Sequence, residues 1–279
     1  MEGRLIPTKT SAEAREIRKI VLQTALNAKK GHVPSAFSWV EIAVVLYFRG
    51  IIKFDANNPK LADRDRFILS KGHGCLTLYA ILSKLGFFSK KLLDDFGGKG
   101  AILPGHPDTE IPGVETCTGS LGHGLGVGAG FAMSAKLEKS KWYTYVVLGD
   151  AECHEGSIWE AAMFAGHQKL NSLVAIVDRN KLGATDFTEN YATVANLGER
   201  FSSFGWNVAE CNGHDEDRLF ELLSTHKKDT NSDKPFCIIA DTIKGKGVSF
   251  MQNSKEWHTR LPKDNEIASA FDSIENKDD

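Results

Sequence analysis

Apolar residues recur along this chain with two different periods, and the switching between them outlines a fold. Thr144–Leu148 is an unbroken apolar, β-branched run that stops at Gly149-Asp150. Leu173–Val177 is a second such run, stopping at Asp178-Arg179-Asn180. Between them Ile158, Ala161, Ala162, Ala165 and Leu170 recur at near-helical spacing. Strand, helix and strand of these lengths predict a right-handed βαβ unit with parallel strands. Such strands share one C-terminal edge, so Asp150 and Asn180 are expected to face a common crevice. That edge is where open α/β sheets bind ligands.

The same alternation extends both ways. Thr10 or Ser11 can cap a first helix whose inner face is Ile17, Ile20, Val21, Thr24, Ala25 and Ala28, with Gly31 as its stop. A second helix is expected from near Ser38 through Glu41–Phe48, a strand over Arg66–Leu69 and a helix over Leu76–Leu85. Gly119-Ser120-Leu121-Gly122-His123-Gly124 opens another helix. Further on, the pattern predicts helices over Leu197–Phe204 and Asp215–His226 and strands over Trp206–Glu210 and Pro235–Ala240. Asn57–Asp65, Gly97–Gly119 and Gly183–Asn196 read as loops, and Glu275–Asp279 as a solvated tail. Repeated β-then-α order predicts an α/β fold, a doubly wound and mainly parallel sheet with helices on both faces. No repeat or linker divides it, so 1–279 is expected to be one domain. Glycines 124, 126, 128 and 130 are poor residues for an isolated helix. They predict a close approach by a backbone, a cofactor or another helix, with a crossing at a subunit interface expected.

Composition narrows the class. At 279 residues and 42% hydrophobic, the chain has ample core for one large α/β domain. Acids and bases are interspersed and net to −2, which gives no nucleic-acid footprint. The longest apolar run, Ile42–Phe48, is far short of a membrane span, and MEGRLIPTKTS has no secretory apolar segment. Cys75, Cys117, Cys153, Cys211 and Cys237 are odd in number and form no CxxC, which points to reduced thiols in a cytoplasmic protein.

Chemistry concentrates at strand ends. Asp150 and Asn180 offer one charged and one neutral hard oxygen, the kind of sparse ligand set Mg²⁺ takes beside a phosphate. The amides after Gly149 can point at an anion. A plain turn at Gly-Asp and a capping role for Asn180 remain the alternative. His32, His73, His106 and His123 sit beside Gly or Pro in predicted loops, suited to proton transfer near neutral pH. His167, His214 and His226 lie in polar or helical settings and read as structural.

Gly149-Asp150 with Asn180 thirty positions on resembles the thiamine diphosphate motif, and GDAECHEGSIWEAA resembles its transketolase version. Gly31-His32, Ser70-Lys71-Gly72-His73, Pro104-Gly105-His106-Pro107, Thr118–Gly122, Lys244–Gly247 and Trp257-His258 are also similar to transketolase signatures, in the family's order. The resemblance implies thiamine diphosphate, with Mg²⁺ or another divalent ion such as Ca²⁺, and two-carbon ketol transfer between sugar phosphates. It implies metal ligation by Asp150, Asn180 and the Leu182 carbonyl. His32, His106 and His258 match residues that contact the donor sugar or move its protons. Lys71, His73, Gly119, Leu121, Gly149, Ala151, Lys244 and His258 match cofactor positions. Glu155 and Glu160 match acids at the interface between diphosphate-binding domains, and Glu155 is also counted with the cofactor. Ala151 replaces the motif's second glycine, and Val33-Pro34-Ser35 replaces a glycine-rich continuation. Family members of full length carry a further, pyrimidine-binding domain. The chain thus resembles the N-terminal, diphosphate-binding subunit of a split transketolase. Its expected partner is a C-terminal subunit, within an α₂β₂ assembly. A subunit like those of deoxyxylulose-phosphate synthase or 2-oxo-acid dehydrogenases fits the histidine set less well. A non-catalytic partner subunit fits poorly with intact Asp150, Asn180, His73 and His106.

Overall fold

Strand residues in this chain feed two cores at once. The computed structural model describes residues 11–191, 196–229 and 231–276. In chain order α1 (Ala12–Ala28), α2 (Val33–Phe37) and α3 (Val40–Phe48) precede β1 (Arg66–Leu69). Next come α4 (Cys75–Lys84), α5 (Gly124–Leu137), β2 (Thr144–Gly149), α6 (Gly156–His167) and β3 (Leu173–Arg179). Then follow α7 (Thr188–Tyr191), α8 (Leu197–Ser203), β4 (Asn207–Asn212), α9 (Glu216–Lys228), β5 (Phe236–Asp241) and α10 (Asp264–Glu275). The strands lie in the order β1-β2-β3-β5-β4, and every pairing is parallel.

Side chains alternate across a strand. Tyr145, Val147, Val174, Ile176, Ile238 and Ala240 therefore join one core, with α1, α3, α4, α9 and α10. Val146, Leu148, Ala175, Val177, Cys237 and Ile239 join the opposite core, with α5, α6 and α8. Burial of each large aliphatic is worth about 1.5–3 kcal/mol. A one-residue slip would exchange the two sets, so the register is firmly specified. It aligns the strand tips: Gly149 pairs with Asp178, and Arg179 and Asn212 both pair with Asp241. The expected doubly wound sheet with helices on both faces is what forms.

Departures from the expected elements have local causes. Ser11 caps α1 by accepting from the Ala14 amide at 3.1 Å; Thr10 lies outside the described residues, as do most of the N-terminal segment, 192–195 of the expected loop and the last three tail residues. The left-handed residue ending α1 is Lys29 (φ 53°), before Gly31 is reached. Val33-Pro34-Ser35, ahead of the helix expected from near Ser38, is the start of α2, because a proline at N1 or N2 lacks only an amide that the first turn leaves unpaired. β4 and α9 each begin about one residue later than expected. Helix α10 was missed; Glu266 opens it by accepting from the Lys263 amide at 2.8 Å, and Ala270 and Ile274 are buried. In the glycine run, a Cβ on Gly124 or Gly128 would strike Ser70 or Val146, so close packing on the sheet accounts for those two. Gly126 and Gly130 face outward. Among the described residues no helix is long and apolar enough to cross a membrane.

Candidate active site

Each strand tip delivers its following residues to one edge of the sheet. A cavity of about 200 Å³ opens there, lined by His32, Lys71, His73, His106, Gly119, Leu121, Gly149, Asp150, Ala151, Asn180, Leu182, Lys244 and His258, together with Ser35, Glu152, Gly183 and Ala184. Nearly all the candidates from the sequence are brought together. Glu155 and Glu160 are not: both are exposed, and neither lines the cavity. His123 also lies apart, exposed at the start of α5 with Nδ1 near the Ser120 and Leu121 carbonyls.

The oxygen pair sits where adjacent parallel tips should put it. Asp150 accepts from the Ala151 amide at 2.9 Å and from the Lys181 amide at 2.7 Å, so the carboxylate bridges the β2 and β3 tips. Lys181 is left-handed (φ 62°), which turns the chain sharply between Asn180 and Leu182. Burial, and then the charge of Asp178, push the Asp150 carboxyl up to about 6. Asn180 Oδ1 accepts from the Leu182 amide at 3.2 Å, and its Nδ2 points to Asp178 at 3.4 Å. Asp178 thereby fixes which end of the amide is the oxygen. Ala151 has no positive φ, so the missing glycine of the motif costs no strain here.

Two buried lysines frame this pair. Lys71 spends its ammonium on Asp178, on the Ser35 carbonyl at 2.9 Å and on Ser38 Oγ at 3.2 Å. It lines the cavity, yet its charge is already matched. Burial would raise the Asp178 carboxyl, but Lys71 outweighs it and holds the group low. Lys244 donates to the Gly183 carbonyl at 2.8 Å, the Leu182 carbonyl at 3.2 Å and His258 Nδ1 at 3.0 Å. Burial, and then Lys71, lower the Lys244 ammonium to about 8. A carbonyl has two lone pairs, so Leu182 can still serve a cation beside Lys244.

Above the oxygens is a histidine cluster. The His32 ring centroid lies 5.1 Å from His258, 5.5 Å from His73 and 6.4 Å from His106. Burial first, then neighbouring cations, depress His32 and His73, and His258 falls to about 4. These three are uncharged near neutrality, each able to accept or give a proton. Since the Lys244 ammonium can only donate, His258 Nδ1 accepts and Nε2 carries the hydrogen. The His106 loop is drawn in by the Thr118 amide donating to the Pro107 carbonyl at 3.2 Å. Gly119 (φ 140°) makes this possible, because a Cβ there would lie 2.9 Å from the His106 ring.

Sequence reasoning missed three acids and a serine. Glu152 accepts from the Gly122 amide at 2.9 Å, the Gly149 amide at 3.1 Å and Ser70, tying three loops together. Asp178 was read only as a strand end. Glu41, inside an apolar helix, is 1% exposed. Ser35 Oγ and Thr118 Oγ1 are buried with no hydrogen-bond partner among the described residues. An acid within an apolar run, as at Glu41, was the one signal available. Arg179, beside the site in sequence, turns away to Asp241 at 2.7 Å and 2.5 Å.

Comparison with known proteins identifies the family. The family model "Transketolase, thiamine diphosphate binding domain" matches residues 9–274. An apulose-4-phosphate transketolase subunit of Phocaeicola vulgatus is 42% identical over 251 residues, covering 90% of this chain and 88% of that one. The 6-deoxy-6-sulfo-D-fructose transketolase subunit SqwG of a Clostridium species is 38% identical over 247 residues, covering 88% and 89%. The transketolase structure from Campylobacter jejuni superposes with a TM-score of 0.88 at 31% identity, over 94% of this chain but 42% of that one. With its fold, its motif order and these relatives in agreement, the chain belongs to the transketolase family, in which it corresponds to the N-terminal, thiamine diphosphate-binding part.

Proposed function

We propose that the chain is the diphosphate-binding subunit of a two-subunit, Mg²⁺-dependent transketolase that moves a two-carbon ketol unit from a ketose phosphate to an aldose. The carrying observation is the Asp150–Asn180 pair at adjoining strand tips beneath the histidine cluster. The residues suit the cofactor. A buried acid beside another acid calls for a cation, and hard oxygens with few protein ligands suit Mg²⁺ or Ca²⁺. The unpartnered hydroxyl of Ser35, which lines the cavity, is consistent with a polar ligand there. Asp150, Asn180 and the Leu182 carbonyl would hold the ion. His73, Lys244, Gly119, Leu121, Gly149 and Ala151 would line the cofactor.

Thiamine diphosphate, when bound, supplies the electron sink that lets a ketose carbon–carbon bond break and re-form on an aldose. The chain's own part is positioning and proton handling. His258 Nε2–H is a donor for a sugar oxygen, held in that tautomer by Lys244. His32 and His106 would exchange protons with the sugar hydroxyls. The chain's 279 residues act as one domain, and the pyrimidine-binding domain comes from a partner subunit. Self-association to α₂β₂ draws support from α5 and α6, adjacent helices that expose Val127, Met163 and Phe164. Five free thiols are in keeping with a cytoplasmic enzyme.

Reconstitution tests this reading. Chain, partner subunit, thiamine diphosphate and Mg²⁺ together should transfer ketol units, and omission of any one should abolish transfer. Ordinary ketose phosphates, apulose 4-phosphate and 6-deoxy-6-sulfofructose should be assayed as donors side by side. His106→Asn should cut kcat by about 10²–10⁴-fold with cofactor affinity retained. A complete mixture that binds cofactor but transfers from none of these sugars would contradict the proposal.

A further inference from the structure

His214 lies at the tip of β4, 5% exposed and outside the cavity lining. Its ring is held at both nitrogens. Nδ1 lies 2.9 Å from Glu41 Oε2, and the Ile243 amide donates to Nε2 at 2.9 Å. A carboxylate only accepts and an amide N–H only donates, so the hydrogen is on Nδ1 and the lone pair on Nε2. Glu41 in turn holds Arg18 through two bonds of 2.6 and 2.8 Å, and Arg18 also donates to the Phe37 carbonyl at 3.2 Å. Both members of that ion pair are 1% exposed.

The far end of this chain of bonds is the segment that presents Lys244. Ile243 is the residue before it. Gly247 (φ 93°), three residues after it, rests on Arg18, whose Cδ would be 2.8 Å from a Cβ there. Histidine and arginine thus grip the turn on both sides of Lys244. Within the turn the Gly245 amide donates to the Pro34 carbonyl at 3.0 Å, which links it to α2 beside His32. Lys244 has to reach the Leu182 and Gly183 carbonyls and His258 at the same time, so its backbone must be fixed closely. A shift of an ångström would break that set.

We propose that His214 is a positioning residue for this active site: through Nε2 it seats the Ile243–Lys244 peptide, and through Nδ1 it is oriented by the buried Arg18–Glu41 pair. The consequence for cofactor affinity rests on the transketolase reading above; the seating of the peptide does not. Outer-shell partners of this kind are typically worth about 10–100-fold in affinity or activity.

Two neutral replacements separate the two nitrogens. In His214→Asn the amide nitrogen can replace Nδ1 toward Glu41, but nothing accepts from Ile243. In His214→Gln the longer side chain can return an oxygen to the Nε2 position. Amide hydrogen exchange is read at Ile243 in the full chain, and thiamine diphosphate affinity in the Mg²⁺-loaded complex with the partner. His214→Asn should lower Ile243 protection and cofactor affinity about tenfold or more. It should leave exchange in β3 unchanged. His214→Gln should restore both. Wild-type protection or wild-type affinity in His214→Asn, or a glutamine variant as impaired as the asparagine one, would overturn the assignment. Failure of the unmodified complex to bind cofactor would instead refute the transketolase reading, and the exchange comparison would still decide the seating role.

Discussion

Asp150→Ala is expected to weaken thiamine diphosphate retention by the assembled enzyme on the order of a hundredfold or more, the loss of a charged first ligand exceeding that typical of outer-shell changes. Mg²⁺ is held by few protein ligands, and Asp150 is the charged one of the proposed three. The fold should tolerate the change. Asp150 is 5% exposed, next to Asp178, so its charge costs the unliganded protein free energy. The two amides it serves, those of Ala151 and Lys181, lie at strand tips. The expected combination is urea stability within about 1–2 kcal/mol of wild type, as the two lost hydrogen bonds offset the relief of charge, with cofactor retention lost. Asp150→Asn should behave alike, since it keeps volume but not charge. Retained cofactor in both variants would remove the ion from the account; collapse of the apo fold would make Asp150 a structural residue.

Glu41→Ala should destabilise the fold by about 3–5 kcal/mol. It leaves the Arg18 guanidinium buried without its counter-charge and His214 without its acceptor. Urea denaturation measures this directly. The double variant Arg18→Met with Glu41→Leu should recover much of the loss, because no unpaired charge is then buried. A pH series gives the sign. Burial alone would raise the Glu41 carboxyl, but Arg18 and His214 hold it well below its ordinary value of 4.5. Its contribution is therefore complete above pH 4.5 and is lost as pH falls below that. Glu41→Ala should flatten that part of the acid-stability curve. An unchanged curve would mean the pair does not carry the stability assigned to it.

What the sequence disclosed was local or nearly so. Two apolar runs and a helical stretch between them sufficed to bring Asp150 beside Asn180, because a parallel βαβ unit permits no other arrangement of its tips. The two-sided sheet followed from the repeated β-then-α order along the chain. Convergence of His32, His73, His106 and His258 rested on resemblance, since loops separated by up to 226 positions carry no periodic signal of contact. The buried pairings were out of reach for the same reason. Lys71 meets Asp178 across 107 residues and His214 meets Glu41 across 173, and nothing in either neighbourhood marks its partner. From its setting alone His214 reads only as structural. Helix α10 was legible and missed: Ile267, Ala270, Phe271 and Ile274 keep helical spacing. Helix α2 was hidden because a proline that opens a helix looks, in isolation, like one that breaks a chain.

The most direct test of the central claim is calorimetric titration of the reconstituted two-subunit complex with thiamine diphosphate, once with Mg²⁺ and once with EDTA in excess. An ion gripped between the β2 and β3 tips requires tight binding with Mg²⁺ and a loss of about a hundredfold or more with the chelator. Equal affinity in the two titrations would contradict it.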